Sequence, residues 1–170
     1  MRKVLVLVLT ILLFVSGCAN EGDSPDEIQE LIKDTKGEID ALYEESSSDS
    51  EFWASIERAA KLVSETIISH CKYDIIFILE TSGGDYFVME QLQDTKEVDQ
   101  SSRELCKNQI ILELASQKRV KKAHLADEKV RVYSTTLNCP VHNSDGDGWY
   151  MMSAVDNNND GVWDEKGISY

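Results

Sequence analysis

Residues 73–90, YDIIFILETSGGDYFVME, decide the fold of this 170-residue chain. Five consecutive apolar residues, 75–79, are typical of a buried central strand. Residues 81–85, TSGGD, supply the glycines and short polar side chains of a hairpin turn, and residues 86–90 predict the returning strand. We therefore predict an antiparallel sheet at the centre of the domain.

Helical periodicity dominates the residues before this hairpin. Residues 24–27, SPDE, combine the Ser-x-x-Glu capping box with proline at the first helical position, so they predict a helix start. An apolar stripe at a spacing of three to four residues follows over residues 28–43. Residues 48–51, SDSE, repeat the capping pattern before a second stripe over residues 52–67. The pattern predicts two helices or one long, bent helix.

The residues after the hairpin complete the predicted sheet. Ser101-x-x-Glu104 predicts the cap of one more helix. Residues 120–125 and 129–138 alternate between polar and apolar and predict two paired strands, and residues 149–155 predict the last strand. The sequence thus predicts an α+β fold in which an N-terminal helix or helix pair precedes a five-stranded antiparallel sheet with one crossing helix, in the order ββαβββ.

The N-terminus predicts export from the cytoplasm. Arg2 and Lys3 precede an apolar run, residues 4–15, which is shorter than the roughly 20 residues that a membrane-spanning helix needs. Residues 15–18, VSGC, resemble the lipobox of bacterial lipoproteins. This resemblance implies cleavage before Cys18 and attachment of lipid to its thiol.

The lipobox resemblance also implies the domain organisation and the location. Residues 1–17 would form the signal peptide, residues 18–23 a lipid-anchored tether and residues 24–170 a single α+β domain, whose size suits one core. The protein would be held on a membrane of the cell envelope and face the periplasm or the cell exterior. The alternative is a cleaved secretory signal with an incidental cysteine, but its Ala-x-Ala-like cleavage site is not present.

The charge of the chain limits its partners. It carries 17 basic and 31 acidic side chains, a formal net charge of −14. A field of this sign repels nucleic acid and anionic lipid headgroups, whereas it attracts cations and basic proteins. We therefore expect no nucleic-acid partner, and instead an envelope protein or a small ligand.

The order of predicted elements over residues 24–155 resembles the PAS-like Cache domains of bacterial extracytoplasmic receptors. In those domains a long N-terminal helix precedes a curved antiparallel sheet, and a ligand lies between the sheet and the segments that cover it. The resemblance implies an extracytoplasmic sensor or binding domain. It carries no residue signature of an amino-acid-binding Cache site, and a different α+β fold would fit the same order.

Three cysteines follow the predicted lipid anchor, and in an oxidising compartment they are candidates for disulfide bonds. The Cache-like arrangement implies that Cys71 and Cys106 lie at one end of the sheet and pair with each other. It places Cys139 at the other end as the unpaired cysteine. An alternative use of Cys71 and Cys139 is a zinc site with His70 and His142, although the paired Cys-x-x-Cys spacing of such sites is missing.

The most specific local motif is DNNNDGVWDE, residues 156–165, which resembles the first half of an EF-hand calcium loop. Side-chain oxygens recur at alternate positions, and a glycine permits the sharp turn before a backbone carbonyl. The predicted calcium ligands are Asp156, Asn158, Asp160, the carbonyl of Val162, and Asp164. The twelfth position, which normally holds a bidentate Glu, is Gly167. The alternative is a turn that bonds its own backbone.

Nothing in the sequence predicts catalysis. The chain lacks the Gly-x-Ser-x-Gly, His-Glu-x-x-His, phosphate-loop and Cys-x-x-Cys motifs. His124 falls within a predicted strand beside two lysines, so we predict an exposed residue and not a general base. We therefore predict a non-enzymatic, ligand- or partner-binding lipoprotein. The alternative is a structural or interaction lipoprotein that docks through its N-terminal amphipathic helix, residues 28–43.

Overall fold

The computed structural model describes residues 24–45, 49–67, 73–81, 83–92, 99–126, 128–142 and 149–169. The predicted signal peptide, Cys18, the tether and Cys71 lie outside the described residues. The elements are α1 (Pro25–Glu45), α2 (Ser50–Thr66), β1 (Tyr73–Thr81), β2 (Tyr86–Leu92), α3 (Gln100–Ser116), α4 (Lys118–Leu125), β3 (Val130–His142), β4 (Trp149–Asp156) and β5 (Glu165–Ser169).

The predicted capping box starts α1. The Ser24 amide donates to Glu27 Oε2 at 2.6 Å, and the Glu27 amide donates to Ser24 Oγ at 3.3 Å. The hydrogen bonds that the Ser24 amide and the Ser24 side chain make to the Glu27 carboxyl hold the pKa of that carboxyl below its ordinary value. Two of the amides at the helix start that lack a partner within the helix are satisfied in this way, as the sequence predicts.

The caps of α2 and α3 are aspartates and not the predicted serines. Asp49 Oδ1 accepts from the Phe52 amide at 3.0 Å, and Asp99 Oδ1 accepts from the Ser102 amide at 2.7 Å. Because α1 ends at Glu45 and α2 begins at Ser50, the N-terminal region is a pair of helices. The predicted caps at positions 48 and 101 are wrong because Asp and Ser are equally good caps and stand close together in the chain.

The sheet is antiparallel throughout and has the strand order β2-β1-β3-β4-β5. The predicted hairpin is present, since β1 pairs with β2, and β3 covers the other edge of β1. Alternate residues of β1 are buried, from Tyr73 to Leu79. The α+β class and the five-stranded antiparallel sheet are confirmed.

The predicted strand over residues 120–125 is wrong, because these residues form helix α4. Val120 and Ala123 are buried three residues apart, while Lys121 and Lys122 between them are exposed. The fifth strand is β5, which the sequence did not predict. After the helix pair the order is therefore ββααβββ and not ββαβββ.

This correction reverses the predicted direction of β3 relative to β1. Asp74 at the start of β1 lies opposite Asn138 near the end of β3. Cys139 therefore lies at the end of the sheet where β1 begins. The first residue of β1, Tyr73, follows Cys71 by two positions in the sequence. Its predicted position at the opposite end is wrong.

One face of the sheet packs against α2 and α3 and forms the described core. The largest fully buried side chains come from both layers and include Phe52, Ile56, Phe77 and Leu114. Among the described residues, no helix has both the length and the apolar character needed to cross a bilayer.

Helix α1 packs on α3, and the apolar stripe of α1 is used within the chain. Ile32 is only 6% exposed. Gln29 Nε2 donates to Ser101 Oγ at 3.0 Å, so the start of α1 lies beside the start of α3. Because α3 has 17 residues and rises about 1.5 Å per residue, it carries the chain about 25 Å away before α4 begins. Helix α4 thus lies at the end of the helical layer opposite Ser24.

Candidate functional site

The connection between β4 and β5 contains the predicted calcium ligands and packs against α2. We call residues 156–164 the Asp156 loop. It begins at the last residue of β4 and ends one residue before β5. The strand pairing of β4 with β5 brings its two ends together.

Asp156 is the central residue of this loop and is fully buried. Its Oδ1 accepts from the amides of Asn158 at 3.3 Å and Asp160 at 3.2 Å, and its Oδ2 accepts from the Gly161 amide at 3.0 Å. A buried carboxylate needs hydrogen-bond donors in place of water, and three backbone N–H groups supply them here. The side chain of Asp156 closes the loop.

The other predicted side-chain ligands also accept from loop amides. Asn158 Oδ1 accepts from Asp160 at 3.1 Å, and Asp160 Oδ1 accepts from Val162 at 2.9 Å. Asp164 Oδ2 accepts from Asn157 at 2.7 Å. The side chains of Asn158, Asp160 and Asp164 are nevertheless exposed. The predicted ligands therefore share one compact loop, and each also bonds its backbone.

Two residues of the loop have positive φ angles. Gly161 has φ +87°, as expected for the glycine at the sharp turn, and a Cβ added there would lie 3.1 Å from Arg58 Cγ. Asn159 has φ +52°, a conformation that asparagine tolerates better than most residues. The backbone therefore turns sharply twice while it passes close to α2.

Asn159, which sequence reasoning did not single out, fastens the loop to the core. It is only 2% exposed. Its Nδ2 donates to the carbonyl oxygens of Ser55 and Val132, both at 3.0 Å, and the carbonyl oxygen of Asn159 accepts from Arg58 Nη1 at 2.7 Å. Position four of a calcium loop supplies no side-chain ligand, so the motif gives no sign of this role.

Trp163 fastens the other end of the loop. Its indole Nε1 donates to Thr66 Oγ1 in the last turn of α2 at 2.8 Å. The loop is thus held along α2 from Ser55 to Thr66. Its backbone geometry is fixed by the core on one side, while four of its oxygen-bearing side chains face solvent, namely Asn157, Asn158, Asp160 and Asp164.

Oxygen donors of this loop suit a hard cation such as Ca²⁺. They comprise three carboxylates, one amide oxygen and the carbonyl of Val162. Across the described parts of the chain, no group of three or more His, Cys, Asp or Glu side chains is placed to hold a metal ion. An ion in the Asp156 loop would therefore depend on Asn158 and Val162 as well as on carboxylates.

Cys106 and Cys139 are both disulfide-bonded and both buried. The expectation that Cys139 stays unpaired is therefore wrong, and the reversed direction of β3 is the reason. Because Cys71 lies outside the described residues, its pairing with Cys106 stays a prediction. The alternative zinc site loses Cys139, since a disulfide sulfur is not a thiolate ligand.

His124 is half-buried and not the predicted surface residue. Its ring centroid lies 4.9 Å from that of Phe52, and its Nε2 lies 3.7 Å from Asp49 Oδ2. This Nε2 is buried and makes no hydrogen bond within the described residues. The side chain packs α4 against the start of α2.

A shallow depression of about 460 Å³ lies at the junction of α3 and α4. Tyr86 donates from its hydroxyl to Gln117 Oε1 at 2.8 Å, and the Arg119 guanidinium lies 5.3 Å from the centroid of its ring. Burial raises the pKa of the Tyr86 hydroxyl, and the positive charge of Arg119 partly opposes that effect. Tyr86 therefore stays protonated at neutral pH and does not serve as a base there.

We find no match to this chain among protein-family models, curated proteins or solved structures.

Proposed function

We propose that this chain is a lipoprotein of the bacterial cell envelope, anchored through Cys18 and facing the periplasm or the cell exterior. Its N-terminal 18 residues have the basic, apolar and lipobox segments of such proteins. The disulfide-bonded state of Cys106 and Cys139 suits an oxidising compartment. The cap at Ser24 leaves only a short tether between lipid and domain.

The domain acts by binding and not by catalysis, and Ca²⁺ binds at the Asp156 loop. One observation carries this proposal: the buried carboxylate of Asp156 organises three amides of a loop that also contains Asp160 and Asp164. Three carboxylates within nine residues repel one another, and a divalent cation relieves that repulsion. The Arg58 guanidinium, which lies nearby, is bonded to a carbonyl oxygen.

We expect weak affinity because the ligand shell is incomplete. Gly167 stands where a bidentate Glu closes the shell of a complete EF-hand loop, and it lies within β5. Extracellular calcium modules of this kind have dissociation constants of about 10⁻⁴ to 10⁻³ M. Such a site fills at the calcium concentrations found outside cells and not at those of the cytosol.

The wider class we propose is a PAS- or Cache-like extracytoplasmic sensor or binding domain. The helix pair before an antiparallel sheet supports this class. Apolar side chains such as Phe52 and Phe77 fill the space between the helices and the sheet. We therefore place ligand or partner contacts at the periphery of the domain, where the Asp156 loop lies.

Calorimetry with the chain from residue 18 to 170, carrying Cys18→Ser, tests the calcium proposal. We expect a dissociation constant near the range above, at least tenfold weaker binding for Asp160→Ala, and little effect of Mg²⁺ as competitor. Asp156 is not suitable for this test because it holds the loop together. Asp34→Ala, which removes an exposed carboxylate from α1, is the matched control.

The calcium proposal fails if millimolar Ca²⁺ gives no heat or if Asp160→Ala and Asp34→Ala titrate alike. A thermal melt provides the independent measurement. At a calcium concentration ten times the dissociation constant, binding stabilises the fold by about 1.4 kcal/mol. Asp160→Ala should lose this gain.

Mass spectrometry of the protein from a bacterial membrane tests the anchor. We expect a mature chain that begins at Cys18 and carries acyl groups, and an unprocessed chain for Cys18→Ala. Recovery of an unmodified, soluble chain cleaved elsewhere would contradict the lipoprotein proposal.

A further inference from the structure

Basic charge is concentrated on α4 although the chain as a whole is acidic. Six of the 17 lysines and arginines fall within residues 118–131, and α1 alone holds eight of the 31 acidic residues. The α4 side chains that carry this charge are all exposed, namely Lys118, Arg119, Lys121 and Lys122. A chain with a formal net charge of −14 therefore carries a cluster of exposed positive charge at one end of its helical layer.

The basic side chains of α4 are not neutralised by partners in the described structure. Arg131 pairs with Glu80 at 2.7 Å, and Lys129 and Arg131 both approach Glu51. By contrast, none of the four α4 cations makes an ion pair with a described residue, although Arg119 also covers the ring of Tyr86. Glu113, the nearest described acid before α4, bonds to Gln117, and Glu128, the nearest described acid after α4, makes no ion pair with these four cations.

An exposed leucine completes this surface. Leu125 is 90% exposed, whereas Val120 and Ala123 on the opposite side of α4 are buried. Lys118, Lys121 and Leu125 recur at the spacing of one helical face. A cluster of four exposed Lys and Arg side chains is the pattern that binds anionic lipid headgroups, and the exposed Leu125 beside them adds an apolar contact.

We propose that α4 contacts the anionic lipid surface of a bilayer. The acidic residues at the start of α1 lie about 25 Å away, at the far end of α3. The Debye length at physiological ionic strength is about 8 Å, so their repulsion is largely screened at α4. The charge near α4, which comprises its four cations and the Asp49 carboxylate beside His124, therefore decides what this end of the molecule attracts, and the composition of the whole chain does not.

A lipid surface fits α4 better than an acidic protein or a soluble polyanion. Leu125 gains from burial among acyl chains, and an anionic polymer offers no such burial. If the Cys18 anchor of the proposed function holds, the lipid and α4 contact the same bilayer from opposite ends of α3. These two contacts lay the helical layer along the membrane.

Cosedimentation with vesicles tests this contact without depending on the anchor. The probe is phosphatidylcholine vesicles with and without phosphatidylglycerol, and the protein is the Cys18→Ser chain of residues 18–170. We expect binding only to the anionic vesicles, and its loss at high salt. Each basic side chain near an anionic surface contributes about fivefold to binding, so Lys121→Gln with Lys122→Gln should weaken it about 25-fold.

Two further variants separate the possible partners. Lys33→Gln with Lys166→Gln removes two exposed charges elsewhere and should change vesicle binding by less than about twofold. Leu125→Ser should weaken vesicle binding at least threefold, because it removes an apolar side chain that is partly buried among the acyl chains. Equal binding to both kinds of vesicle, an equal effect of the control pair, or binding to polyglutamate without binding to vesicles would each overturn the proposal. Circular dichroism checks that the variants stay folded.

Discussion

Two of the three hairpin connections of the sheet, β1–β2 and β4–β5, differ in how they are held. The turn between β1 and β2 is exposed, and its bonds are local: Thr81 Oγ1 donates to the Gly84 carbonyl oxygen and accepts from the Gly83 amide. The Asp156 loop between β4 and β5 instead buries Asp156 and Asn159 completely or almost completely. The first connection only reverses the chain, whereas the second is part of the core.

This difference shows what makes a connection structural. A loop can be buried only if its polar groups find partners, because each unpaired buried group costs about 1–3 kcal/mol. The Asp156 loop meets most of this requirement with its own side chains and with carbonyls of α2 and β3, and Asn159 Oδ1 is the buried side-chain oxygen of the loop that makes no hydrogen bond within the described residues. The β1–β2 turn stays in water, where no such partners are needed.

Asp156→Ala should produce the largest loss of stability, about 3–4 kcal/mol. It removes a charged acceptor from three amides, and hydrogen bonds to a charged group contribute about 1.5–3 kcal/mol each when they are shielded from water. Chemical denaturation measures the change in the free energy of unfolding. Asp85→Ala in the exposed turn should change it by less than about 0.5 kcal/mol, and similar effects of the two variants would contradict the comparison.

Asn159→Ala should cost about 2–3 kcal/mol. It removes the donor to two buried carbonyl oxygens and places alanine at a positive φ angle. Asn159→Gly removes the same donor but accepts this φ angle, so it should be less destabilising by about 1 kcal/mol. If Asn159→Ala is neutral in the same denaturation measurement, the loop is not fastened to the core through this side chain.

Gly161→Ala and Gly84→Ala form a matched pair, since both glycines have positive φ angles. The backbone penalty, about 1 kcal/mol, is common to both. A Cβ at position 161 also meets Arg58, while a Cβ at position 84 meets nothing within 4 Å. We expect about 2 kcal/mol of destabilisation for Gly161→Ala and about 1 kcal/mol for Gly84→Ala. Thermal melts measure both variants, and equal melting temperatures would show that the contact with Arg58 has no effect on stability.

Two single hydrogen bonds give the smallest expected effects. Trp163→Phe loses the bond to Thr66 and should cost about 1 kcal/mol, whereas Thr81→Val loses solvent-exposed bonds and should cost about 0.5 kcal/mol. Urea denaturation of both variants against the wild-type chain measures the difference. A larger loss for Thr81→Val than for Trp163→Phe would reverse the ranking of the two connections.

The sequence predicts the central hairpin, the α1 cap and the position of the Asp156 loop because each depends on local chemistry. Residues 75–79 are apolar enough to identify a central strand, and residues 81–85 hold the glycines of the turn. Gly161 at the sharp turn is likewise a local requirement. These features need no knowledge of what packs against them.

The errors arise where tertiary contacts decide. Residues 120–125 alternate weakly, but their helix is fixed by burial of Val120 and Ala123 and by packing of His124 on Phe52. Strand β5 is short, largely polar and contains Gly167, so its pairing with β4 leaves little pattern in the sequence. The burial of Asn159 depends on carbonyls of α2 and β3, which lie far away in the chain.

The pairing of β1 with β3 has a consequence for how fast the chain folds. The β1–β2 hairpin and the helices are local in sequence, but β1 and β3 meet only after the chain has passed through β2, α3 and α4. Closing so long a segment costs chain entropy before the contacts repay it, and topologies rich in such pairings fold slowly. We therefore expect the register of β1 against β3 to form late and to set the refolding rate, on a timescale of about milliseconds or longer.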